Sequence, residues 1–170
     1  MHILDTERLK LRRLRADDLQ PLHALYRDAE VRRYIPNGVL TLEETQLELE
    51  HFMHGHPEHP ELGLWATIER SSGAFLGRCG LLPWVIAGKS EVELAFMIDK
   101  SRWGEGFATE AGRGIVEYAR NRLGLAQLVC LIMPGNLASA KVARKVGMQF
   151  DREERDAWGA FHIYRMAARA

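Results

Sequence analysis

The residues of this sequence best placed to do chemistry run from Glu91 to Leu123. They read as a strand ending at Asp99, a loop Arg102-Trp103-Gly104-Glu105-Gly106-Phe107-Ala108-Thr109, and a helix that starts at once. Gly104, Gly106 and Ala108 stand at alternating positions, so the backbone can turn tightly and expose successive N–H groups. With the positive end of a helix dipole behind them, such amides form an anion site that suits a pyrophosphate. The loop lacks the G-x-x-x-x-G-K-[ST] arrangement of nucleoside triphosphate sites. Thr109 also takes the place of the third glycine of G-x-G-x-x-G. On its own the segment could equally be a Gly-rich turn without a ligand.

Two more features flank it. Along the strand before the loop, alternation puts Glu91, Glu93, Ala95 and Met97 on one face and Val92, Leu94, Phe96 and Ile98 on the other. A carboxylate such as Glu93 in a sheet interior is costly unless it has a function or a partner, for example Arg78 on a neighbouring strand. Downstream, Asn136-Leu137-Ala138-Ser139 opens another helix. There Asn136 can act as a cap or turn former, and Ser139 as a hydroxyl satisfying a backbone group.

The elements that must position these residues follow from periodicity. Leu9–Leu14 alternates as a first strand. Asp17 or Asp18 can cap a helix to about Glu30, and Thr41 with Glu44 forms a capping box for a second helix reaching Met53. Three strands are predicted at Leu64–Glu69, Ala74–Leu82 and Glu91–Asp99, with Pro83 and Ala87-Gly88 in the second turn. A helix over Ala108–Leu123, a buried strand over Gln127–Met133 and a helix over Leu137–Val146 come next. The last strands are expected near Gln149–Asp156 and Phe161–Ala167. The order predicts an α/β (mixed α+β) fold, a single twisted mixed sheet with helices on both faces.

Taken together these segments resemble the GNAT superfamily of N-acetyltransferases. Its Gln/Arg-x-x-Gly-x-Gly/Ala loop is matched by Trp103, Gly106 and Ala108, with Trp103 replacing the usual Gln or Arg. The run Trp103 to Ala111 is similar to the Rim-like branch, whose named members acetylate the N-termini of ribosomal proteins. So are Thr6–Arg12, the pattern Asn136, Ser139, Val142, Lys145, Gly147, Met148, and the closing Gly159–Tyr164. The resemblance covers nearly the whole chain and implies one acyltransferase domain, residues 1–170.

It also implies acetyl-CoA as the donor. Its pyrophosphate would lie on the amides of Gly104, Glu105, Gly106, Phe107, Ala108 and Thr109. Its pantetheine would pair with Phe96, Met97 and Ile98, where the strand splays from its neighbour, and Asn136 would contact the cofactor arm. The acceptor would be a protein N-terminus or a small-molecule amine attacking the thioester directly. Glu93 is then the candidate base, Ser139 the candidate acid, and a backbone N–H near Met97 or Ile98 the oxyanion donor. No Tyr follows Ser139 in its helix, which excludes a tyrosine acid there. The alternative is a non-catalytic acyl-CoA-binding sensor that keeps the loop and Asn136 alone.

Whole-chain properties narrow the partners. The 23 basic and 23 acidic side chains balance, which argues against a nucleic-acid surface. No apolar run approaches the roughly 20 residues that span a bilayer, and the N-terminus carries no signal-like stretch, so a cytoplasmic protein is expected. Cys79 and Cys130 lie in apolar segments and read as reduced packing thiols. His51, His54, His56 and His59 are dense, but their spacing around Gly55 and Pro57 fits no metal site, and no metal is expected. Exposed sheet edges would allow a homodimer.

Overall fold

Leu9 and Leu11 alternate with Lys10 and are fully buried, which fixes the face of the first long strand. The same logic, repeated along the chain, builds the whole architecture. A computed structural model describes residues 1–166. Its elements, in chain order, are β1 (His2–Asp5), β2 (Leu9–Arg13), α1 (Leu19–Tyr26), α2 (Leu42–Phe52), β3 (Gly63–Glu69), β4 (Phe75–Ile86), β5 (Lys89–Ile98), α3 (Phe107–Leu123), β6 (Val129–Ile132), α4 (Leu137–Lys145), β7 (Met148–Asp156) and β8 (Gly159–Met166).

The eight strands form one mixed sheet in the order β1-β2-β3-β4-β5-β6-β8-β7. Every pairing is antiparallel except β5 with β6. Helices α3 and α4 pack on one face through Phe107, Ala111, Ile115, Ala140 and Ala143, against Leu81, Leu94, Ile98 and Cys130. Helices α1 and α2 cover the other face through Leu22, Leu25, Tyr26 and Leu49, against Leu64, Ala66, Ala95 and Met97. That second face continues beyond the helices over Val129, Ile163 and Ile86. Among the described residues no helix is long and apolar enough to cross a membrane. Cys79 and Cys130 are both free and buried.

The capping box predicted for α2 is present. Glu44 N–H donates to the Thr41 hydroxyl at 3.2 Å, and Thr41 N–H donates to the Glu44 carboxylate at 2.8 Å. Several boundaries differ from expectation, most by one or two residues. Helix α1 stops at Tyr26 rather than Glu30, because Asp28 turns its carboxylate onto the amides of Glu30 and Val31 and breaks the helix. Strand β4 runs through Pro83 to Ile86, with Pro83 opposite Val92. The hairpin is made by Ala87 and Gly88 alone, both at positive φ as a two-residue primed turn requires. Strand β1 was not anticipated; it pairs with β2 through a short irregular ladder. The expected last strand reached Ala167, which lies outside the described residues.

Candidate active site

The β5–β6 pairing holds at one position only, Glu93 opposite Val129. Beyond it the two strands part, and the sheet opens as a V. Leu94, Phe96 and Ile98 line the open side of β5 by alternation. Met97 does not, because its carbonyl is turned towards Gly77 of β4; a Cβ on that glycine would sit 2.1 Å from it. Of the three residues expected to expose backbone to a bound chain, Phe96 and Ile98 therefore face the opening and Met97 faces the neighbouring strand. The same geometry removes Met97 as an oxyanion donor.

Trp103 reaches back to this edge. Its indole N–H donates to the Ile98 carbonyl at 2.7 Å while about half of its ring stays exposed. Near the apex, the Cys130 thiol donates to the Leu94 carbonyl at 3.2 Å.

The wide end of the V meets the glycine loop. Gly104 (φ 83°) and Gly106 (φ 85°) both adopt the left-handed conformation. No atom lies within 4 Å of where a Gly104 Cβ would be, so the cradle is open there. The first α3 amide bonded in the regular pattern is Glu110 N–H to Gly106 O, at 3.0 Å. The N–H groups of Phe107, Ala108 and Thr109 precede it and carry no helical hydrogen bond.

Side chains hold the loop in this shape. Arg102 grips Glu69 (2.8 Å) and Glu105 (2.8 Å), and Arg8 bonds Glu110 (2.7 Å) and the Glu105 carbonyl (3.1 Å). Phe107 is buried between these two guanidiniums, 4.3 and 4.8 Å from its ring centre. The Phe107 side chain thus braces the loop, and the Glu105 carboxylate serves Arg102. Their contribution to an anion site is the backbone alone. The Arg102 pair lowers the pKa of both Glu69 and Glu105.

Asn136 caps α4, its Oδ1 accepting the Ser139 N–H at 3.2 Å. The Ser139 hydroxyl, partly exposed, has no protein partner among the described residues. Tyr34, from the segment between α1 and α2, donates its hydroxyl to the Gly135 carbonyl at 3.1 Å. A phenol therefore stands at the start of α4, although none is present on the helix itself. No local pattern around Tyr34 points to this contact, which spans 101 residues of chain.

Glu93 sits at the apex of the V, on the face shared with Met97 and Ala95. Its partner is Trp84, whose indole N–H donates to it at 2.7 Å, and no ion pair joins it to Arg78. Burial raises its pKa above the ordinary carboxylate value. The Trp84 bond, the Arg78 charge and the Leu131 N–H oppose that rise. Glu91, two residues earlier, is paired bidentately to Arg165 of β8 at 2.7 and 3.0 Å, and its pKa is lowered. One of the two carboxylates is thus locked in an ion pair, and burial holds the other above the ordinary carboxylate range.

His51, His56 and His59 pack ring on ring, with centroids 5.8 and 5.9 Å apart. Among the described residues no group of three or more His, Cys, Asp or Glu side chains converges as a metal site would. An open groove of about 810 Å³ runs along α3 from Gly106 and Thr109 to Arg113 and Lys145, and neither Glu93 nor Ser139 lines it.

Residues 8–149 match the family described as "Acetyltransferase (GNAT) domain". The uncharacterized protein YkkB of Bacillus subtilis is 31% identical over 88% of this chain and 86% of its own length. The uncharacterized N-acetyltransferase YnaD of the same organism is 26% identical over 88% and 83%. A GNAT-family acetyltransferase from Bacillus anthracis superposes with a TM-score of 0.82 at 23% identity, covering 98% of each chain.

Proposed function

Because this chain belongs to the GNAT acetyltransferase family, we propose that it moves the acetyl group of acetyl-CoA onto a primary amine by direct attack of the amine on the thioester. The observation that carries this reading is the V between β5 and β6, with a bare amide cradle at its wide end and Glu93 at its apex. The chain's own residues fit such a donor. Free amides at Gly104–Thr109 suit a pyrophosphate, and the open edge of β5 suits an extended arm that adds to the sheet like a strand. When bound, acetyl-CoA supplies an acetyl thioester.

Each residue then has a definite task. Gly104 and Gly106 let the loop amides converge on the diphosphate. Phe96 and Ile98 offer backbone groups to the arm, and Trp103 shapes its outer wall. Asn136 fixes the start of α4, and with it the Ser139 hydroxyl. Glu93, directly or through one water, takes the proton that the ammonium must lose. Ser139 gives a proton to the departing sulfur. A backbone N–H of β5 facing the opening, near Phe96 or Ile98, holds the developing oxyanion.

We assign the chain to the Rim-like branch on Trp103, the Asn136–Ser139 helix start and the opening Thr6–Arg12 strand. The acceptor would then be a protein N-terminus or a small amine. A sensor that only bound acyl-CoA would have no use for Glu93, a carboxylate held at a raised pKa beside the opening.

The deciding experiment is thermal unfolding with and without acetyl-CoA, followed by thiol release on a panel of amines and N-terminal peptides. A ligand bound only by the native state raises the midpoint. A rise together with thiol release supports the transferase. A rise without turnover on any amine supports the sensor, and no rise at saturating donor removes both.

A further inference from the structure

Two arginines lie buried around Tyr26, between the sheet and the segment that joins α1 to α2. Arg32 is 2% exposed and Arg78 is 8% exposed. Both guanidinium carbons face the ring of Tyr26, at 4.7 and 5.8 Å from its centre. Tyr26 is itself fully buried, donates its hydroxyl to Glu48, and accepts from Arg78 Nε at 3.1 Å. Glu48 lies near both charges and Glu44 near Arg32, but among the described residues neither carboxylate forms an ion pair with either guanidinium. A buried guanidinium without a direct anionic partner is costly unless an anion completes it.

The hydrogen bonds leave the same deficit. Arg32 spends Nε on the Gly38 carbonyl and Nη2 on the Asn37 side chain, which together tie down the segment between α1 and α2. Its Nη1 is buried and has no partner among the described residues. Arg78 is held through Nε alone, so its two terminal nitrogens remain for another group.

Register links this cluster to the apex of the V. Arg78 is opposite Met97, and Leu82 is opposite Glu93. Between those rungs, on the same face, stand only Gly80 and Ala95, opposite each other. The floor from Arg78 to Glu93 is therefore nearly free of side chains. Four residues of strand span about 13 Å, and an arginine and a glutamate reaching inwards from the two ends shorten it considerably. The Arg78 charge is close enough to act on Glu93. The nitrogen and carboxylate of an α-amino acid, with a hydrogen bond of about 3 Å at each end, bridge roughly 9 Å.

We infer that the acceptor is an amino acid, its free carboxylate held by Arg78 and Arg32 and its amine delivered to Glu93 along the Gly80–Ala95 floor. This rests on the transferase reading above and names its substrate class.

Matched pairs of acceptors test it: phenylalanine against phenethylamine, and leucine against isoamylamine, followed by thiol release from acetyl-CoA. The expected result is that each amino acid exceeds its decarboxylated partner in kcat/KM by about 100-fold, the scale of one charge-assisted bidentate pair. The R78Q variant should lose that preference mainly through KM and keep its thermal shift with acetyl-CoA, while its acid limb with the carboxylate-free amines moves to higher pH because the Arg78 charge no longer favours ionised Glu93. Should R78Q fail to fold, R32K serves instead and should reduce the preference without abolishing it. Carboxylate-free amines turned over as well as the amino acids would overturn the anion site and leave the transferase standing. A thermal shift without turnover of either member would overturn it too. No shift and no thiol release at all would bring down the transferase reading itself.

Discussion

Trp84 and Glu93 face each other diagonally across β4 and β5, and the indole N–H of one donates to the carboxylate of the other at 2.7 Å. This bond stabilises the ionised form of Glu93, while burial disfavours it. The balance leaves the pKa above that of a free carboxylate, and the pKa of a general base is best near the working pH. The W84F variant should raise it further, because the stabilising donor is lost. The acid limb of the kcat/KM profile should then move to higher pH, with the plateau reached later; an unmoved limb would mean that Glu93 is not the group being titrated.

Replacing Glu93 itself separates catalysis from folding. E93Q should lower kcat by about 10²–10⁴, the usual contribution of a positioned base. Its effect on stability should have the opposite sign. A group whose folded pKa is raised contributes stability below its unfolded pKa and loses it as pH rises through the folded value. E93Q should therefore have a higher melting midpoint than the parent at neutral pH and no such advantage near pH 4. Melting curves across that range check it.

At the cradle, G106A and G104A test the backbone rather than any side chain. Each forces a Cβ into a left-handed conformation, at about 1–2 kcal/mol. Neither meets a steric wall, since a Gly106 Cβ would come no closer than 3.6 Å to Arg8 and a Gly104 Cβ has open space. The proteins should fold. Isothermal titration should show donor affinity reduced well beyond the small loss of stability, because the amides would no longer converge.

The start of α4 offers a paired comparison. N136A removes the cap on Ser139 N–H and should cost about 1 kcal/mol of stability along with donor affinity. S139A leaves that cap in place. It should keep stability and donor affinity while lowering kcat, most with acceptors whose reaction depends on protonating the sulfur. Single-turnover kinetics with saturating donor distinguishes the two.

Glu91 and Arg165 tie β5 to β8 by an ion pair in which the Glu91 side chain is 11% exposed. R165M strands that carboxylate and should cost roughly 1–3 kcal/mol, less than a fully buried pair because Arg165 is partly solvated. The double variant R165M/E91M should recover most of the loss. Glu91 has a lowered pKa, so its contribution is present above the unfolded pKa and is lost as pH falls through the folded one. Urea titrations at neutral and acid pH should show the cost of R165M shrinking in acid.

What could be read in the sequence was what depends on near neighbours. Gly104, Gly106 and the following helix form a cradle within six residues, and Asn136 caps a helix three residues away, so both were legible. The faces of β5 followed from alternation. The partners of Glu93 are not legible, because Pro83 reads as the end of β4 at Leu82. A strand that stops there never brings Trp84 beside Glu93, and an arginine such as Arg78 stands as the example of a partner. Arg32, Tyr26 and Glu48 meet Arg78 across three elements, and Tyr34 meets Gly135 from 101 residues away. Contacts of that kind depend on tertiary register, which no local pattern encodes. Met97 shows the same limit at the scale of one peptide, since alternation gives the side of a side chain but not which strand its carbonyl addresses.

The single rung between Glu93 and Val129 divides the sheet into a five-stranded half and a three-stranded half. The glycine cradle and the Arg78 cluster belong to the first half. Much of the outer wall, with Phe161, Ile163 and the exposed Trp158 hairpin, belongs to the second. Within the sheet, lengthening, shortening or repacking the β7–β8 hairpin would reach the cradle through one rung, the Cys130–Leu94 and Leu131–Glu93 bonds and the Glu91–Arg165 clasp. The architecture is in this sense modular, a five-stranded body joined by a narrow seam to a three-stranded wing.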